Sequence, residues 1–417
     1  MSFDAPALSF RKIVLLVCIA QTLATVGAFA VPALLPVFIG SWGLTNTEAG
    51  WITGGFYLAY VLAVPILVAL TDRIDPKRIY LIGVGSIALA GLGYAWLADG
   101  FWSALAFRML WGFGWAGSYM PGLKAMSDLI EGPQQSRAVA AHAASVGVSS
   151  AASFLIAGMV AETFGWRWGV ALGGVGAVVA GLLMGVSFPA RTPKPQESRT
   201  ANLLDFRPVF RNRSAMAYSI GYGVHTFEMS AFRNWVVAFL TFAAAYQGVK
   251  DIAEWLSPIV VATAMGLLGV GASVFGNEIA RRIGRCRWVL VIMWSGIAVS
   301  GVVGFAPAIS YTIAVSLVLL YGALIWADSA SLTAGTTGSA VRGQRGATLA
   351  VHSMLGYAGG FLGPLVIGVM LDIFGAGTPI GWWLAFLASG GILLLGPVAI
   401  IVLKPASLDG DREAHNS

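Results

Sequence analysis

A short run in the second half of the chain, from His225 to Arg233, places a histidine, a carboxylate and a guanidinium among apolar residues. His225 and Glu228 are three positions apart, so they share one face of a helix about one turn apart. At about 1.5 Å per residue, Glu228 lies roughly 22 Å along that helix from Arg213, near the middle of a long apolar segment. We therefore predict that Glu228 carries a proton, with His225 as its hydrogen-bond partner. The alternative is a structural pair of Glu228 with His225 or with an arginine, which only holds helices together.

Three more ionisable residues lie in apolar stretches: Arg108, Arg233 and Asp328. A guanidinium is a forked donor that suits carboxylate, nitrate-like anions and phosphate. Arg108 is accordingly a candidate contact for a substrate or for coupling, and the alternative is a buried structural pair. Arg233 lies nearer the end of its segment, where it either faces a cavity or extends to a membrane interface. Asp328 is a candidate second proton site or gate, with a plain ion pair as the alternative.

Uncharged side chains in these and other apolar segments are candidates to wall a binding site, because small-molecule sites are mostly apolar with a few polar groups. The aromatic members of this set also suit ordinary packing. The candidates are Gln21, Thr25, Trp111, Trp115 and Tyr321.

The composition identifies the elements that must hold these residues. Hydrophobic residues make up 57% of the chain and charged residues 11%, against about 25% charged residues in soluble proteins. The sequence thus predicts a polytopic, all-α membrane protein in a lipid bilayer, and the net charge of +6 indicates membrane topology rather than nucleic-acid binding. Cys18 and Cys286 predict neither a disulfide nor a metal site. The sequence shows no nucleotide-binding loop and no catalytic cluster, so we expect no enzyme activity, no cofactor and no use of ATP.

Twelve apolar segments are long enough to cross a bilayer, which takes about 20 residues each. The first continues through Gly40, which is too long for the core of a cleavable signal peptide. We number them spans 1 to 12, at residues 13–39, 49–71, 79–98, 102–123, 138–161, 167–189, 215–242, 255–280, 288–306, 309–334, 347–371 and 381–403.

Basic residues are concentrated on one side of this arrangement. Only Arg167 and Lys250 fall on the other side, while Arg108 and Arg233 lie within spans. Because short loops rich in Lys and Arg stay in the cytoplasm, both termini are predicted to be cytoplasmic, in the plasma (inner) membrane of the cell. The predicted domains are residues 1–190, a basic cytoplasmic linker at 191–213, residues 214–403, and a cytoplasmic tail at 404–417.

The two halves repeat each other, which predicts two six-helix bundles related by a pseudo-two-fold axis. Segments at the ends of the spans match at offsets of 209 or 210 residues. The matches are Asp72-Arg73-Ile74 with Arg281-Arg282-Ile283, His142 with His352, and Glu162-Thr163-Phe164-Gly165 with Asp372-Ile373-Phe374-Gly375.

This architecture resembles the major facilitator superfamily of secondary transporters, and local motifs carry the resemblance over the whole chain. In that family the loop after span 2 reads roughly G-x-L-a-D-R-x-G-R-R. Here the stretch from Val68 to Arg78 keeps the Asp-Arg and the basic end but has neither glycine. The copy after span 8 has Arg281 in place of the Asp. Span 4 carries the family's R-x-x-x-G-x-G-x-A pattern from Arg108 to Ala116.

The resemblance implies that spans 1, 4, 7 and 10 line a central cavity and that spans 2, 5, 8 and 11 form the moving interface between the halves. The remaining spans would face lipid. All four ionisable residues within spans fall in the cavity set, as expected if a charge in hydrocarbon costs at least about 2.5–3.5 kcal/mol. For His142 and His352, polar packing is the alternative to a gating role. The candidate gating residues are Asp72, Arg73, Lys77, Arg78, Arg281, Arg282, His142 and His352.

Asp72 is expected beside the N-terminal end of span 11 when the cytoplasmic side is closed, because the helix dipole there favours a negative charge. The matching contact between spans 8 and 5 should be absent, since Arg281 would repel that helix end.

Together these features predict a secondary active transporter that works by alternating access and is driven by an ion gradient. The charges within spans sum to zero, and protonation of one carboxyl leaves a net positive charge that favours a monoanion. We therefore expect a monomer that moves a small polar or anionic solute together with protons.

Proton-coupled export of apolar or cationic compounds is the nearest alternative. The aromatic residues suit it, although the glycine-proline motif that exchangers carry in span 5 is found here in span 11, at Gly359–Pro364. A non-transporting membrane receptor is an alternative of a different class.

Overall fold

The computed structural model describes residues 9–130, 134–190, 206–249, 252–341, 344–408 and 411. Within these ranges the chain forms helices and connecting loops without β-strands. Numbered by the predicted spans, the helices are Phe10–Thr25, Ala30–Ala33 and Leu35–Trp42 (span 1); Asn46–Leu70 (2); Pro76–Leu97 (3); Phe101–Ser127 (4); Gln134–Phe164 (5); Trp166–Ser187 (6); Arg213–Tyr246 (7); Pro258–Ile283 (8); Arg285–Val303 (9); Tyr311–Trp326 and Ser329–Gly338 (10); Arg345–Phe374 (11); and Pro379–Leu393 and Leu395–Leu403 (12).

All twelve predicted spans are present, and the prediction of an all-α membrane fold is confirmed. Among the described residues, nine helices are long and apolar enough to cross a membrane. Spans 1, 4 and 7 are not among them. Span 1 is interrupted, and polar residues such as Arg108, Glu228 and Arg233 lie within spans 4 and 7. Because twelve spans cross in turn, the start of span 1 and the end of span 12 lie on one side of the molecule, here called the terminus side. The opposite side is called the far side.

The two bundles meet along two helix pairs, span 2 against span 11 and span 5 against span 8. Glycines let spans 2 and 11 approach closely. A Cβ added at Gly50 would lie 2.7 Å from the carbonyl oxygen of Pro364, so a larger residue there would force the helices apart. Near the middle of the pair, the rings of Tyr60 and Tyr357 stack with 3.7 Å between their centroids. The bundles are therefore closed against each other from the far side to the middle of the molecule.

Span 1 was predicted as one helix, but the structure interrupts it at Val26–Phe29. Pro32 and Pro36 follow this turn, and a proline inside a helix removes a backbone hydrogen bond. Two neighbouring spans bind the freed backbone groups. Arg108 Nη1 donates to the carbonyl of Ala28 at 3.3 Å, and the Phe29 amide donates to Ser153 Oγ at 3.0 Å. The interruption is therefore stabilised by side chains of spans 4 and 5.

Span 10, also predicted as one helix, is interrupted at Ala327 and Asp328. Span 9 binds both sides of the interruption. Trp288 Nε1 donates to the carbonyl of Ala327 at 3.0 Å, and Arg285 Nη1 donates to the carbonyl of Ser331 at 3.1 Å. Discontinuous helices are common at the binding sites of transporters, because irregular backbone is tolerated where it is satisfied by protein groups.

The predicted linker at 191–213 falls mostly outside the described residues. Its last part differs from the prediction, since Arg207–Arg211 is a short helix and span 7 already begins at Arg213. In the C-terminal tail, Asp411 forms an ion pair with Arg285 at 2.9 Å, and both side chains are buried. The described part of the tail therefore lies against the second bundle.

The position of Arg108 predicts a measurable role in stability. Arg108 is 2% exposed and lies over the ring of Phe56, with Cζ 5.1 Å from the ring centroid. Arg108→Lys keeps the charge but loses the planar stacking and the forked donor. We expect the free energy of unfolding to fall by about 1–2 kcal/mol. Thermal unfolding of the purified protein measures this loss.

Arg167→Lys is the matched control for this substitution. Arg167 also lies over an aromatic ring, that of Trp166 at 4.5 Å, but it is exposed on the far side. We expect Arg167→Lys to change stability little. Equal losses of stability in the two variants would contradict a stabilising role for Arg108.

Candidate functional site

A cavity of about 210 Å³ lies on the boundary between the two bundles. It is lined by spans 1, 2, 4 and 5 of the first bundle and by spans 7, 8, 10 and 11 of the second. The spans expected to line a cavity and the spans expected to form the moving interface thus both contribute to its walls. Most of the lining is apolar or aromatic. The polar lining residues are Tyr57, Ser150, Tyr222, His225, Thr226, Arg233, Ser329 and Tyr357.

Arg233 is the one charged side chain in the described cavity lining, apart from the ionisable His225. It projects from span 7 across the boundary. Its Nη2 donates to the hydroxyl of Tyr57 at 3.0 Å, and its Cζ lies 4.0 Å from the ring centroid of Phe29. Both partners are neutral groups of the first bundle. Arg233 therefore presents a positive charge to the cavity, and the ring and hydroxyl that hold it do not cancel that charge.

His225 lines the cavity, but its acidic partner differs from the one predicted. His225 Nδ1 lies 2.9 Å from Asp328 Oδ1, and both side chains are almost fully buried. The prediction of a hydrogen bond between His225 and Glu228 is wrong. Although the two residues are a turn apart on span 7, the interruption of span 10 brings Asp328 closer to the imidazole.

Glu228 lies behind the cavity wall rather than in it. Its carboxyl group lies beside the hydroxyl of Tyr321 in span 10. Gly296 of span 9 leaves room for it, since a Cβ added at Gly296 would lie 2.7 Å from Glu228 Oε1. Glu228 and Asp328 are both buried in the second bundle and are close enough to interact electrostatically. The two carboxyl groups and His225 thus form a buried polar group that reaches the cavity through His225.

Of the other predicted site residues, only Trp115 lines the cavity. Arg108, Gln21 and Thr25 are buried within the first bundle. Thr25 Oγ1 donates to Ser149 Oγ at 2.7 Å, which ties span 1 to span 5. Trp111 fills the contact between spans 1 and 6, where its ring approaches Gly27 and Gly173. These residues support the cavity wall from behind.

Two predicted gating residues of the span 2–3 loop, Asp72 and Lys77, contact the first bundle in this structure. Asp72 Oδ1 lies 3.8 Å from Lys124 Nζ, and its side chain is 52% exposed. Lys77 Nζ donates to the carbonyl of Gly185 at 2.9 Å. Arg73 and Arg78 belong to the same loop. The expected position of Asp72 beside span 11 applies to a state that is closed on the terminus side, so it stays a prediction.

The corresponding loop of the second bundle is organised differently. Arg281 and Arg282 both pair with Glu278 of their own helix, at 3.6 Å and 3.1 Å, and all three side chains are at least half exposed. Exposed pairs of this kind contribute little to stability.

The two matched histidines are each buried inside their own bundle. His142 stacks on Tyr119, with 5.4 Å between ring centroids. His352 stacks on Tyr222 at 3.9 Å and lies within hydrogen-bond distance of Thr336, at 3.0 Å from Nδ1 to Oγ1. Neither ring bridges the bundles here, and the choice between a gating role and polar packing stays a prediction.

Sequence reasoning missed three residues that join the bundles: Phe29, Tyr57 and Asp372. Phe29 and Tyr57 hold Arg233, as described above. Asp372 Oδ2 accepts a hydrogen bond from the amide of Thr47 at 2.7 Å on the far side. Its match with Glu162 in the repeat was a signal, but the match alone did not show which helix end it would meet. Among the described residues, no group of His, Cys, Asp and Glu is arranged to hold a metal ion.

Comparison with known proteins agrees with this architecture. The model of the Major Facilitator Superfamily matches residues 17–340. Protein spinster homolog 3 of Danio rerio is 26% identical over 218 residues, which are 50% of this chain and 43% of that protein. The chain thus matches less than half of that relative's length. The sphingosine-1-phosphate transporter SPNS2 of Mus musculus is 22% identical over 384 residues, covering 87% of this chain and 70% of that protein.

A solved structure shows the same fold. The bacterial homologue of the human lysosomal transporter Spinster, in an inward-facing and unoccupied conformation, has a TM-score of 0.77 at 13% identity, covering 96% of this chain and 97% of that one. At this identity the likeness shows the fold alone. From the family match over residues 17–340, together with this fold, the chain belongs to the Major Facilitator Superfamily of membrane transporters.

Proposed function

We propose that this protein is a proton-coupled secondary transporter whose substrate is an amphipathic anion. The observation that carries the proposal is Arg233, a half-buried cation on the cavity wall whose partners are a neutral ring and a neutral hydroxyl. A charge at the edge of an apolar cavity interacts more strongly with an anion than a charge in open solvent does, because less water screens the pair. The guanidinium fork suits a carboxylate or phosphate head group.

The rest of the cavity suits an apolar tail. Phe29, Phe56, Trp115, Phe154 and Trp326 contribute aromatic walls around Arg233. Binding sites of this kind obtain affinity from apolar contact and orientation from a few polar groups. The relative from Mus musculus carries the name of a sphingosine-1-phosphate transporter, and that molecule is itself an amphipath whose head group carries a phosphate. A small, fully polar solute would leave most of this wall without a favourable partner.

Proton coupling is assigned to the buried group of Glu228, Asp328 and His225. The two carboxyl groups lie near each other in the second bundle, and two neighbouring carboxylates favour a shared proton. His225 connects them to the cavity, 2.9 Å from Asp328. A proton held on this group and an anion held on Arg233 would add no net charge to the bundle, which favours their movement together. The terminus side would be cytoplasmic, in agreement with the distribution of basic residues.

The coupling role predicts a separation of two activities in Glu228→Gln. The amide keeps the size of the side chain but cannot carry a proton. Substrate uptake driven by a pH gradient should be lost in proteoliposomes, while exchange of labelled for unlabelled substrate continues. Glu254→Gln, an exposed far-side residue, is the control and should retain both activities. Normal pH-driven uptake by Glu228→Gln would remove Glu228 from the coupling group.

The substrate role predicts a charge-dependent loss of binding in Arg233→Gln. A hydrogen bond to a charged group contributes about 1.5–3 kcal/mol, so the affinity for dodecyl phosphate should fall about tenfold or more. Affinity for dodecanol, which has the same tail and no charge, should change little. Binding to the protein in lipid nanodiscs measures both affinities.

Tyr57→Phe is the matched control, because it removes the hydroxyl partner of Arg233 and keeps the guanidinium. It should bind dodecyl phosphate at least as well as the unchanged protein does. Equal losses for the anion and the alcohol in Arg233→Gln would show that Arg233 only shapes the cavity. Preferential binding of a dodecyl ammonium compound would favour transport of apolar cations instead.

A further inference from the structure

The far-side end of span 2 is bound by a carboxylate from the other bundle. Asp372, near the end of span 11, accepts three hydrogen bonds there. Its Oδ1 accepts from the Asn46 amide at 2.9 Å and from Asn46 Nδ2 at 2.8 Å, and its Oδ2 accepts from the Thr47 amide at 2.7 Å. Gly368 makes this approach possible, since a Cβ at that position would collide with the carbonyl of Asn46.

These hydrogen bonds complete the capping of span 2. The first amides of a helix have no partner inside the helix and need one outside it. Thr45 and Glu48 form a capping box, in which Thr45 Oγ1 accepts from the Glu48 amide at 3.1 Å. The amides of Asn46 and Thr47 remain, and Asp372 binds both. The cap of span 2 is therefore complete only when the two bundles touch on the far side.

The repeat allows the pair of spans 2 and 11 to be compared with its counterpart, the pair of spans 8 and 5. Glu162 is the counterpart of Asp372, and span 8 is the counterpart of span 2. Span 8 begins with Pro258, which has no amide hydrogen to satisfy, and Ser257 caps the helix by accepting from the Val260 amide at 3.4 Å. Span 8 thus has less need of a carboxylate from the other bundle. Among the described residues, a carboxylate cap from the other bundle is found only in the pair of spans 2 and 11.

The opposite end of the same helix pair lacks a cap of this kind. Span 11 begins at Arg345, and its N-cap residue, Gln344, makes no side-chain capping hydrogen bond. Asp72 at the end of span 2 is half exposed in this structure. Each of the two helices thus ends in a carboxylate, at opposite sides of the molecule. Asp372 caps the other helix, whereas Asp72 lies 3.8 Å from Lys124 of its own bundle.

We infer that Asp372 is a conformational latch that stabilises the far-side-closed state by capping span 2, and that it acts in alternation with Asp72. When the far side opens, the amides of Asn46 and Thr47 must turn to water, so the cap is lost. When the terminus side closes, Asp72 caps span 11. The inference rests on alternating access in the proposed function but not on the identity of the substrate or of the coupling ion.

The test is the distance between spin labels in the absence of substrate, so its outcome does not depend on the substrate assignment. Far-side labels are placed by Gly40→Cys and Gly377→Cys, where an added Cβ meets nothing within 4 Å. Terminus-side labels are placed by Ser187→Cys and Gly346→Cys. All variants carry Cys18→Ser and Cys286→Ser. Pulsed electron paramagnetic resonance in nanodiscs gives the populations of the two states.

Asp372→Ala should shift the population toward the far-side-open state roughly twofold to thirtyfold, the range expected for loss of a helix cap. Asp372→Asn should shift it in the same direction by less, because one acceptor remains. Glu162→Ala should leave the distances unchanged, and Asp72→Asn should shift the population the other way. Unchanged far-side distances in both Asp372 variants, or an equal shift in Glu162→Ala, would overturn the inference.

Discussion

A full charge costs several kilocalories per mole in an apolar interior unless it has a partner, and this cost determines where the buried charges of the protein lie. Asp328 has His225, and Arg285 has Asp411. Arg108 donates to a carbonyl that an interrupted helix leaves free. Arg233 differs from these because it lies on the cavity wall and has only neutral partners. The proposed substrate supplies the negative charge that this position lacks.

The cavity lies on the boundary between the bundles, so relative movement of the bundles must change its walls. Arg233 belongs to the second bundle, while Phe29 and Tyr57, which hold it, belong to the first. Under the proposed function, an anion on the guanidinium would compete with these cross-boundary contacts. This competition would link substrate binding to opening of the far side at one side chain.

Much of this architecture follows from the sequence, and the exceptions have physical reasons. Apolar length and the excess of basic residues on one side predict the spans, and the cost of embedded charge points to spans 4, 7 and 10. The partner of His225 was mispredicted, because spacing along span 7 says nothing of the interruption that brings Asp328 close. Pro32 and Pro36 are visible signs of the interruption in span 1, but span 10 shows no such sign at Ala327. The contact of Asp372 depends on the relative placement of two helices far apart in the chain.

In the proposed function, an amphipathic anion moves through this protein together with protons. The most direct measurement is the initial rate of uptake into proteoliposomes of three single-chain compounds that share one tail and carry an anionic, a neutral or a cationic head group. Each rate is measured with and without an imposed pH gradient and corrected for vesicles that lack protein. If protons and anion move together, the pH gradient should accelerate only the anion and drive it above its equilibrium concentration. Acceleration of the cation instead, or anion uptake that does not depend on the pH gradient, would rule out proton-coupled anion transport.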